Sequence, residues 1–297
     1  MKADIRVNGS TKLIGVIGNP IKHTVSPQLH NTLSSNLNHN FIYIPMLVNE
    51  GDVGAAVKGL RALNFTGFNI TAPYKNEVIK HIDEISEEAR LIGAVNTVKN
   101  DGGVLKGYNT DAAGFAASFK EQLGMGFEGK RVAILGAGGT ARAIAVKIAM
   151  EKAAKITIIN RTAARAAEIA ELLLKELGIR AEYIDSASKG VAAVIQDVDI
   201  IVNTTSAGMH PDVDNCPLSQ ENCCFSPGQA VYDVIYKPEE TKLLKAAREK
   251  GCIVSNGLGM LFYQGIYAYE IWTGMKIDSS IAKEAYETFK MIAAGKL

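Results

Sequence analysis

The residues of this chain with the clearest chemical potential are the glycines of the run Gly136-Ala137-Gly138-Gly139-Thr140-Ala141. They separate an apolar stretch, 132–135, from a helical pattern over 140–152. A strand, a glycine-rich turn and a helix in direct succession are typical of dinucleotide-binding proteins. Gly136 allows a tight turn, Gly138 lets backbone amides approach a pyrophosphate, and the positive helix end stabilises that anion. The run could also be a plain turn between two elements. The neighbouring residues must therefore show whether it binds a dinucleotide.

The end of the next predicted strand indicates which dinucleotide is bound. Residues 155–160 form an apolar strand pattern that ends at Asn160-Arg161-Thr162, and Arg165 follows one helical turn later. A protein that binds NAD usually carries Asp or Glu at this strand end, where the carboxylate accepts a hydrogen bond from the ribose 2′-hydroxyl. A neutral Asn beside two arginines suits a 2′-phosphate instead. The sequence therefore predicts NADP as the cofactor.

Further polar candidates lie in the first half of the chain. Asn69, Thr71 and Lys75 stand at the carboxyl end of the third predicted strand. Ligands collect at this edge of parallel sheets, which indicates a binding role. Taken alone, Lys75 could equally be a solvated lysine in the first turn of a helix. Ser26 and Asp111 each stand where a helix begins, so each could simply be an N-cap.

Strand and helix patterns alternate along the whole chain and must position these residues. The predicted strands are 13–17, 41–47, 67–71, a hairpin over 93–97 and 104–108, and then 131–135, 155–160, 181–184, 199–203, 231–236 and 252–255. Such alternation implies parallel pairing with helices covering the sheet faces. We therefore predict an α/β fold of two α/β domains with a cleft between them: an N-terminal substrate domain with a mainly parallel sheet, and a Rossmann-type NADP-binding domain. The predicted domains are 1–111 plus 258–297 for the substrate and 112–257 for NADP.

Composition excludes several classes of partner. The 297 residues carry 32 basic and 31 acidic side chains without a run of like charge, which argues against nucleic acid or an anionic membrane. No apolar stretch approaches the ~18 residues of a membrane span, and residues 1–10 lack an apolar targeting core. The four cysteines lack the spacing of a zinc site and indicate reduced thiols. We expect a cytoplasmic protein with a small-molecule partner and no metal.

From about Lys12 to near its C-terminus, the chain resembles the shikimate dehydrogenase family. The matching segments are Gly18-Asn19-Pro20 with Thr24-Val25-Ser26-Pro27, Asn69-Ile70-Thr71-Ala72-Pro73-Tyr74-Lys75, Gly93-Ala94-Val95-Asn96-Thr97, Asn109-Thr110-Asp111, the glycine turn 136–139, Asn160-Arg161-Thr162, Asp233-Val234-Ile235-Tyr236, and Gly257-Leu258-Gly259-Met260 with Gln264. Each segment is short, but their number and their order along the chain make the resemblance specific.

The resemblance implies reversible oxidation of shikimate to 3-dehydroshikimate with NADP, in chorismate and aromatic amino acid biosynthesis. It implies that Lys75 and Asp111 are the catalytic acid-base pair. The implied substrate-binding residues are Thr24, Ser26, Asn69, Thr71, Asn96, Asp111, Tyr236 and Gln264. The implied cofactor-binding residues are Gly136, Ala137, Gly138, Gly139, Thr140, Asn160, Arg161, Thr162, Arg165, Thr204, Val234 and Gly257. We expect a monomer or a homodimer.

One departure from the family pattern leaves the substrate open. Thr24 stands where the family more often has serine, which adds a methyl group beside the expected position of the substrate carboxylate. A quinate/shikimate dehydrogenase that uses NAD as well as NADP is therefore an alternative. A non-catalytic metabolite sensor is a second alternative. Both Lys75 and Asp111 are present, however, and a protein that only binds its ligand needs no acid-base pair.

Overall fold

The computed structural model describes residues 7–296, so residues 1–6 and 297 of the predicted substrate domain lie outside the described range. The helices, in chain order, are α1 (Ser26–Asn36), α2 (Val53–Ala62), α3 (Glu87–Ile92), α4 (Thr110–Leu123), α5 (Gly139–Met150), α6 (Ala163–Leu177), α7 (Val191–Asp197), α8 (Lys242–Glu249), α9 (Leu258–Thr273) and α10 (Ser279–Ala293). The strands are β1 (Lys12–Gly18), β2 (Phe41–Leu47), β3 (Gly67–Ile70), β4 (Glu84–Ile85), β5 (Thr97–Asp101), β6 (Val104–Tyr108), β7 (Arg131–Leu135), β8 (Lys155–Asn160), β9 (Glu182–Asp185), β10 (Ile200–Asn203), β11 (Ala230–Asp233) and β12 (Ile253–Ser255). The chain divides into two compact units, Met1–Thr110 with Gln264–Leu297, and Asp111–Tyr263.

The first unit is built on a six-stranded sheet with the strand order β2-β1-β3-β5-β6-β4. β1 pairs in parallel with β2 and β3, whereas the hairpin of β5 and β6 continues the sheet in the antiparallel direction. Phe68, Ile70 and Val98 are part of its buried apolar core. Every residue of β3 is buried, including the polar Asn69. A buried amide needs hydrogen-bond partners inside the protein, so Asn69 already points to a polar network.

The second unit is built on a six-stranded sheet with the order β12-β11-β10-β7-β8-β9, in which every described pair is parallel. Val132, Ile134 and Ile158 are fully buried, as expected for parallel strands covered on both faces. β8 and β9 extend the sheet on one side of β7, and β10 lies on its other side. This reversal of strand order beside β7 is the position at which open α/β sheets bind their ligands.

The predicted α/β fold, with a mainly parallel sheet in one unit and a Rossmann-type sheet in the other, is confirmed. The assignment of 1–111 plus 258–297 to substrate and of 112–257 to NADP stays a prediction. No helix among residues 7–296 combines the length and the apolar character that crossing a membrane would require.

Several local predictions are wrong for identifiable reasons. The predicted strand over 93–97 does not form, because Gly93 adopts φ +72° and closes α3, and β5 starts only at Thr97. The predicted strand over 231–236 is too long, since β11 ends at Asp233. Lys75 does not lie in the first turn of a helix, because a turn precedes the 3-10 helix Glu77–His81.

Candidate active site

Gly136 fixes the turn at the end of β7. It is buried and adopts φ +106°, a backbone conformation that residues with a side chain rarely adopt. A Cβ at this position would lie 2.6 Å from Thr204 Oγ1, which itself donates a hydrogen bond to the Leu135 carbonyl at 2.7 Å. The Gly136 amide donates to the Ile159 carbonyl at 2.8 Å. The glycine is therefore required by both backbone conformation and packing.

Gly138 has a different role, because it precedes α5 and its surroundings are open. Its backbone is extended, and none of residues 7–296 places an atom within 4 Å of the position that a Cβ would occupy. The exposed amino end of α5 therefore offers unpaired amides to an anion. This arrangement, a tight turn at Gly136 and an open glycine two residues later, fits the pyrophosphate of a dinucleotide.

A cavity of about 490 Å³ lies beside this turn in the second unit. Its lining residues are Leu135, Gly136, Ala137, Gly138, Ile159, Asn160, Arg161, Ser186, Thr204, Thr205, Ser206, Ala207, Asp212, Asn215 and Pro217. Of the predicted cofactor residues, six are among them: Gly136, Ala137, Gly138, Asn160, Arg161 and Thr204. Sequence reasoning missed Ser186, Asp212 and Asn215, although Ser186 directly follows β9 and could have been found as a strand-end residue.

The other predicted cofactor residues do not line this cavity. Gly139 and Thr140 form the first turn of α5, Thr162 is the N-cap residue of α6, and the exposed Arg165 lies in the first turn of α6. Val234 and Gly257 contact each other, and a side chain at position 257 would overlap the Val234 carbonyl. Close packing against Val234, which directly follows β11, therefore explains Gly257 without any ligand.

Asp233 supports the loop that follows β10. Its Oδ1 accepts hydrogen bonds from Asn203 Nδ2 at 2.9 Å and from the Ile235 amide at 3.0 Å, and Oδ2 accepts from Thr241 Oγ1 at 2.8 Å. Asn203 in turn accepts from the amide and hydroxyl of Thr205, a cavity-lining residue. Burial raises the pKa of Asp233 to about 6. The three hydrogen bonds lower this pKa, but their effect is smaller than that of burial.

The predicted substrate residues of the first unit begin with Thr24 and Ser26. Thr24 Oγ1 accepts a hydrogen bond from the Ser26 amide at 3.3 Å, which orders the segment before α1. The alternative that Ser26 is an N-cap is wrong, because α1 starts at Ser26 itself, its N-cap is Val25, and no side chain of the described residues caps it. Pro27 occupies the first turn, where its missing amide hydrogen is not needed. The Ser26 hydroxyl is therefore not used to begin the helix.

Asn69 and Asn96 are brought together in the core of the first unit. Asn69 Nδ2 donates to the Asn96 carbonyl at 3.0 Å and to Thr97 Oγ1 at 2.9 Å. Asn96 Oδ1 accepts from the Thr110 amide at 2.8 Å, and Asn96 Nδ2 donates to Thr110 Oγ1 at 3.0 Å. Thr71 follows β3 directly, and its amide donates to the Ile17 carbonyl at 2.9 Å. Adjacent strands therefore deliver polar side chains to one region of the sheet.

Lys75 is half-buried and lies in the turn after Thr71. Its carbonyl accepts a hydrogen bond from the Val95 amide at 2.8 Å, which ties the turn to the segment that carries Asn96. Gln264, in the first unit, is half-buried on α9.

Asp111 and Tyr236 belong to the second unit. The alternative that Asp111 is an N-cap is wrong, because α4 begins at Thr110 and Asp111 lies inside the first turn. Tyr236 follows β11 and is 37% exposed.

Within residues 7–296, no three His, Cys, Asp or Glu side chains are grouped so that they could hold a metal ion.

Protein-family models match segments of both units. The substrate-binding domain model of shikimate dehydrogenase matches residues 16–98, the shikimate/quinate 5-dehydrogenase model matches 118–214, and the shikimate 5′-dehydrogenase C-terminal model matches 257–285. Together these matches span most of the chain. The chain belongs to the shikimate dehydrogenase family. The resemblance inferred from the short motifs is thus confirmed.

Individual family members are similar over nearly the full length. An NADP-dependent shikimate dehydrogenase from Caldanaerobacter subterraneus subsp. tengcongensis is 43% identical over 94% of this chain and 98% of its own. The crystal structure of the Listeria monocytogenes enzyme with shikimate and NAD has a TM-score of 0.89 at 37% identity, covering 94% of this chain and 97% of that one. A Corynebacterium glutamicum quinate dehydrogenase in complex with NAD has a TM-score of 0.84 at 31% identity, covering 94% and 97%.

Proposed function

We propose that this chain catalyses the reversible, NADP-dependent oxidation of shikimate to 3-dehydroshikimate, on the route to chorismate and the aromatic amino acids. The observation that carries this proposal is the 43% identity to an NADP-dependent shikimate dehydrogenase, which extends over both units rather than over the dinucleotide-binding unit alone. A shared Rossmann-type sheet would support only a common cofactor class. The similarity of the first unit is what supports the same substrate.

The proposed division of labour follows the two units. The residues proposed to hold the substrate are Thr24, Ser26, Asn69, Thr71, Asn96, Asp111, Tyr236 and Gln264. The second unit holds the cofactor, with the glycine turn at its pyrophosphate and Arg161 at its 2′-phosphate. An arginine at the cavity wall and a neutral Asn160 at the strand end both support NADP over NAD.

The proton chemistry is assigned to Lys75 and Asp111. When bound, NADP⁺ supplies the hydride acceptor for the substrate C–H bond. The Lys75 amine accepts the hydroxyl proton as that carbon becomes a carbonyl, and the ammonium returns the proton in the reverse direction. Asp111 orients the amine and the reacting hydroxyl. General acid-base catalysis of this kind contributes about 10²–10⁴ in rate.

A direct test is to mix the purified chain with shikimate and NADP⁺ and to follow the absorbance of the reduced cofactor. We expect turnover that depends on both compounds. Binding of shikimate in a calorimeter with no turnover between pH 6 and pH 9 would instead indicate a metabolite sensor. If shikimate neither binds nor is oxidised, the assigned substrate is ruled out.

A quinate/shikimate dehydrogenase is the second candidate, and two observations favour it. Thr24 stands where the family more often has serine, so it keeps the hydroxyl and adds a methyl group. A quinate dehydrogenase is also among the similar solved structures, at 31% identity. Comparing quinate with shikimate, each with NADP and with NAD, separates the two candidates.

We further propose that the partners are small molecules only and that the protein acts in the cytoplasm as a monomer or a homodimer. The cytoplasmic location is supported by the cysteines, since Cys216, Cys223, Cys224 and Cys252 are all free thiols in the structure. Gel filtration with light scattering tests the oligomeric state.

A further inference from the structure

Two buried hydroxyls of the first unit, those of Tyr43 and Thr97, connect residues that the proposed function assigns to substrate binding. Tyr43 is 1% exposed and Thr97 is 0% exposed, so neither side chain is available to touch a bound molecule. Motif comparison does not point to Tyr43, and it includes Thr97 only as the end of the 93–97 segment. Their hydrogen bonds give both residues a common role.

Thr97 joins Asn69 to Asn96. Its Oγ1 accepts a hydrogen bond from Asn69 Nδ2 at 2.9 Å and donates one to Asn96 Oδ1 at 3.0 Å. A hydroxyl carries one proton and also accepts, so a single threonine can make both bonds. The two amide groups, one on β3 and the other immediately before β5, are therefore held in fixed orientations relative to each other.

Tyr43 extends this network toward the start of α1. Its hydroxyl donates to Asn69 Oδ1 at 2.8 Å. The backbone of Tyr43 is clamped by Asn31 of α1: the Tyr43 amide donates to Asn31 Oδ1 at 2.8 Å, and Asn31 Nδ2 donates to the Tyr43 carbonyl at 3.0 Å. The helix that starts at Ser26 is thereby fixed to the strand that carries Tyr43.

We propose that Tyr43 and Thr97 are positioning residues of the substrate site, a role that rests on the proposed function. Through Asn69, their hydroxyls couple Asn96, which is proposed to hold the ring hydroxyls, to the strand that Asn31 clamps to α1, the helix that begins at Ser26. Buried hydrogen-bonded side chains of this kind keep few alternative rotamers, so the donors and acceptors that face the substrate are in place before it binds.

The first test removes the Thr97 hydroxyl while keeping the side-chain volume. Thr97→Val should raise KM for shikimate about tenfold, because Asn69 Nδ2 and Asn96 Oδ1 each lose one buried hydrogen-bond partner. KM for NADP should stay within about twofold, since the change leaves the cofactor cavity intact. Thr97→Ser, which restores the hydroxyl, should return KM for shikimate to near the wild-type value.

A matched control is available in Thr157→Val. Thr157 is also a buried strand threonine, at 2% exposure, but its Oγ1 has no hydrogen-bond partner among the described residues. Removing that hydroxyl should leave KM for shikimate unchanged. Thermal unfolding of all variants shows whether any change in KM is accompanied by a loss of the fold.

The second test compares two tyrosines of the first unit. Tyr43→Phe should raise KM for shikimate about fivefold, since Asn69 Oδ1 then lacks its donor. Tyr269→Phe is the control, because the Tyr269 hydroxyl bonds only to His39 at 2.8 Å and to Ser34 at 3.3 Å in the described network, and neither is a predicted site residue. It should lose stability without a change in KM.

The double variant Tyr43→Phe with Thr97→Val should raise KM by less than the product of the single effects, because both changes act through Asn69. If Thr97→Val does not fold, the two tyrosine variants carry the test. If the wild type oxidises shikimate but KM is unchanged in both site variants, or rises equally in the controls, the positioning role is wrong. If the wild type does not oxidise shikimate, the proposed function fails as well.

Discussion

The two units build their candidate binding regions in opposite ways. In the first unit the region is made of side chains held by other side chains, as Asn69, Thr97 and Asn96 illustrate. In the second unit the turn beside the cavity is made of backbone, and Gly136 and Gly138 fit there because they carry no side chain. A backbone-built site accepts a cofactor shared by many enzymes, whereas a side-chain-built site selects one substrate by its hydrogen-bonding pattern.

This difference predicts that changes at the candidate residues of the first unit impair chemistry or substrate binding, and that changes at the cavity of the second unit impair cofactor binding. The largest expected effect belongs to Lys75. Lys75→Ala should lower kcat at least ~10²-fold while shikimate binding, measured by calorimetry, is largely kept, because the proton acceptor is lost but the substrate contacts remain. Lys80→Ala, an exposed lysine in the 3-10 helix that follows, is the matched control. An unchanged kcat for Lys75→Ala would remove the lysine from the mechanism.

The next effect tests the second unit alone. Arg161→Ala should raise KM for NADP about tenfold and leave KM for NAD unchanged, because only the 2′-phosphate forms charge-assisted bonds with the guanidinium. Arg165→Ala should have a smaller effect, since Arg165 does not line the cavity. Steady-state kinetics with both cofactors measure this. An equal rise with NAD would mean that Arg161 supports the fold rather than the phosphate.

The two glycines of the turn separate folding from binding. Gly136→Ala should lower the free energy of unfolding by about 2 kcal/mol, since φ +106° strains a residue with a side chain and its Cβ would meet Thr204. Gly138→Ala should leave stability nearly unchanged, because the space around it is open, but should raise KM for NADP. Urea unfolding and kinetics of both variants provide the comparison. Equal loss of stability in the two variants would contradict the different roles assigned to them.

The last two effects are opposite responses of stability to pH. Burial lowers the pKa of His30 in the first unit from 6.5 to about 3, so below pH 6.5 the unfolded chain binds a proton that the native chain does not. Stability from this residue is complete above pH 6.5 and falls by about 2 kcal/mol between pH 7.5 and pH 5. Burial raises the pKa of Asp233 in the second unit from 3.8 to about 6, so here the native chain binds the extra proton. Acidification over the same range should therefore raise stability by about 1.5 kcal/mol.

His30→Phe and Asp233→Asn isolate these two contributions. In His30→Phe, acidification should no longer lower the free energy of unfolding through residue 30. In Asp233→Asn, acidification should no longer raise it through residue 233. Urea unfolding at pH 7.5 and pH 5, followed by the fluorescence of Trp272 in the first unit and by circular dichroism for the whole chain, measures both. A pH dependence identical to the wild type in either variant would contradict the assigned pKa shift.

The same difference between the units explains what could be predicted from the sequence. The spacing of glycines indicates a particular backbone conformation. The turn at Gly136, its flanking elements and most of the parallel sheet were therefore predictable from the sequence. Hydrogen bonding between side chains distant in sequence has no local pattern, so Tyr43 and its bond to Asn69 could not be foreseen. Single-residue alternatives such as an N-cap at Ser26 were wrong, because helix starts depend on tertiary contacts that spacing does not contain.

The most direct test of the central claim is a comparison of kcat/KM for shikimate and for quinate, each with NADP and with NAD. The wild-type chain should have its highest kcat/KM with shikimate and NADP, at least about tenfold above each of the other three combinations. A higher kcat/KM for quinate with either cofactor would contradict the substrate assignment, and a higher value with NAD would contradict the role given to Arg161.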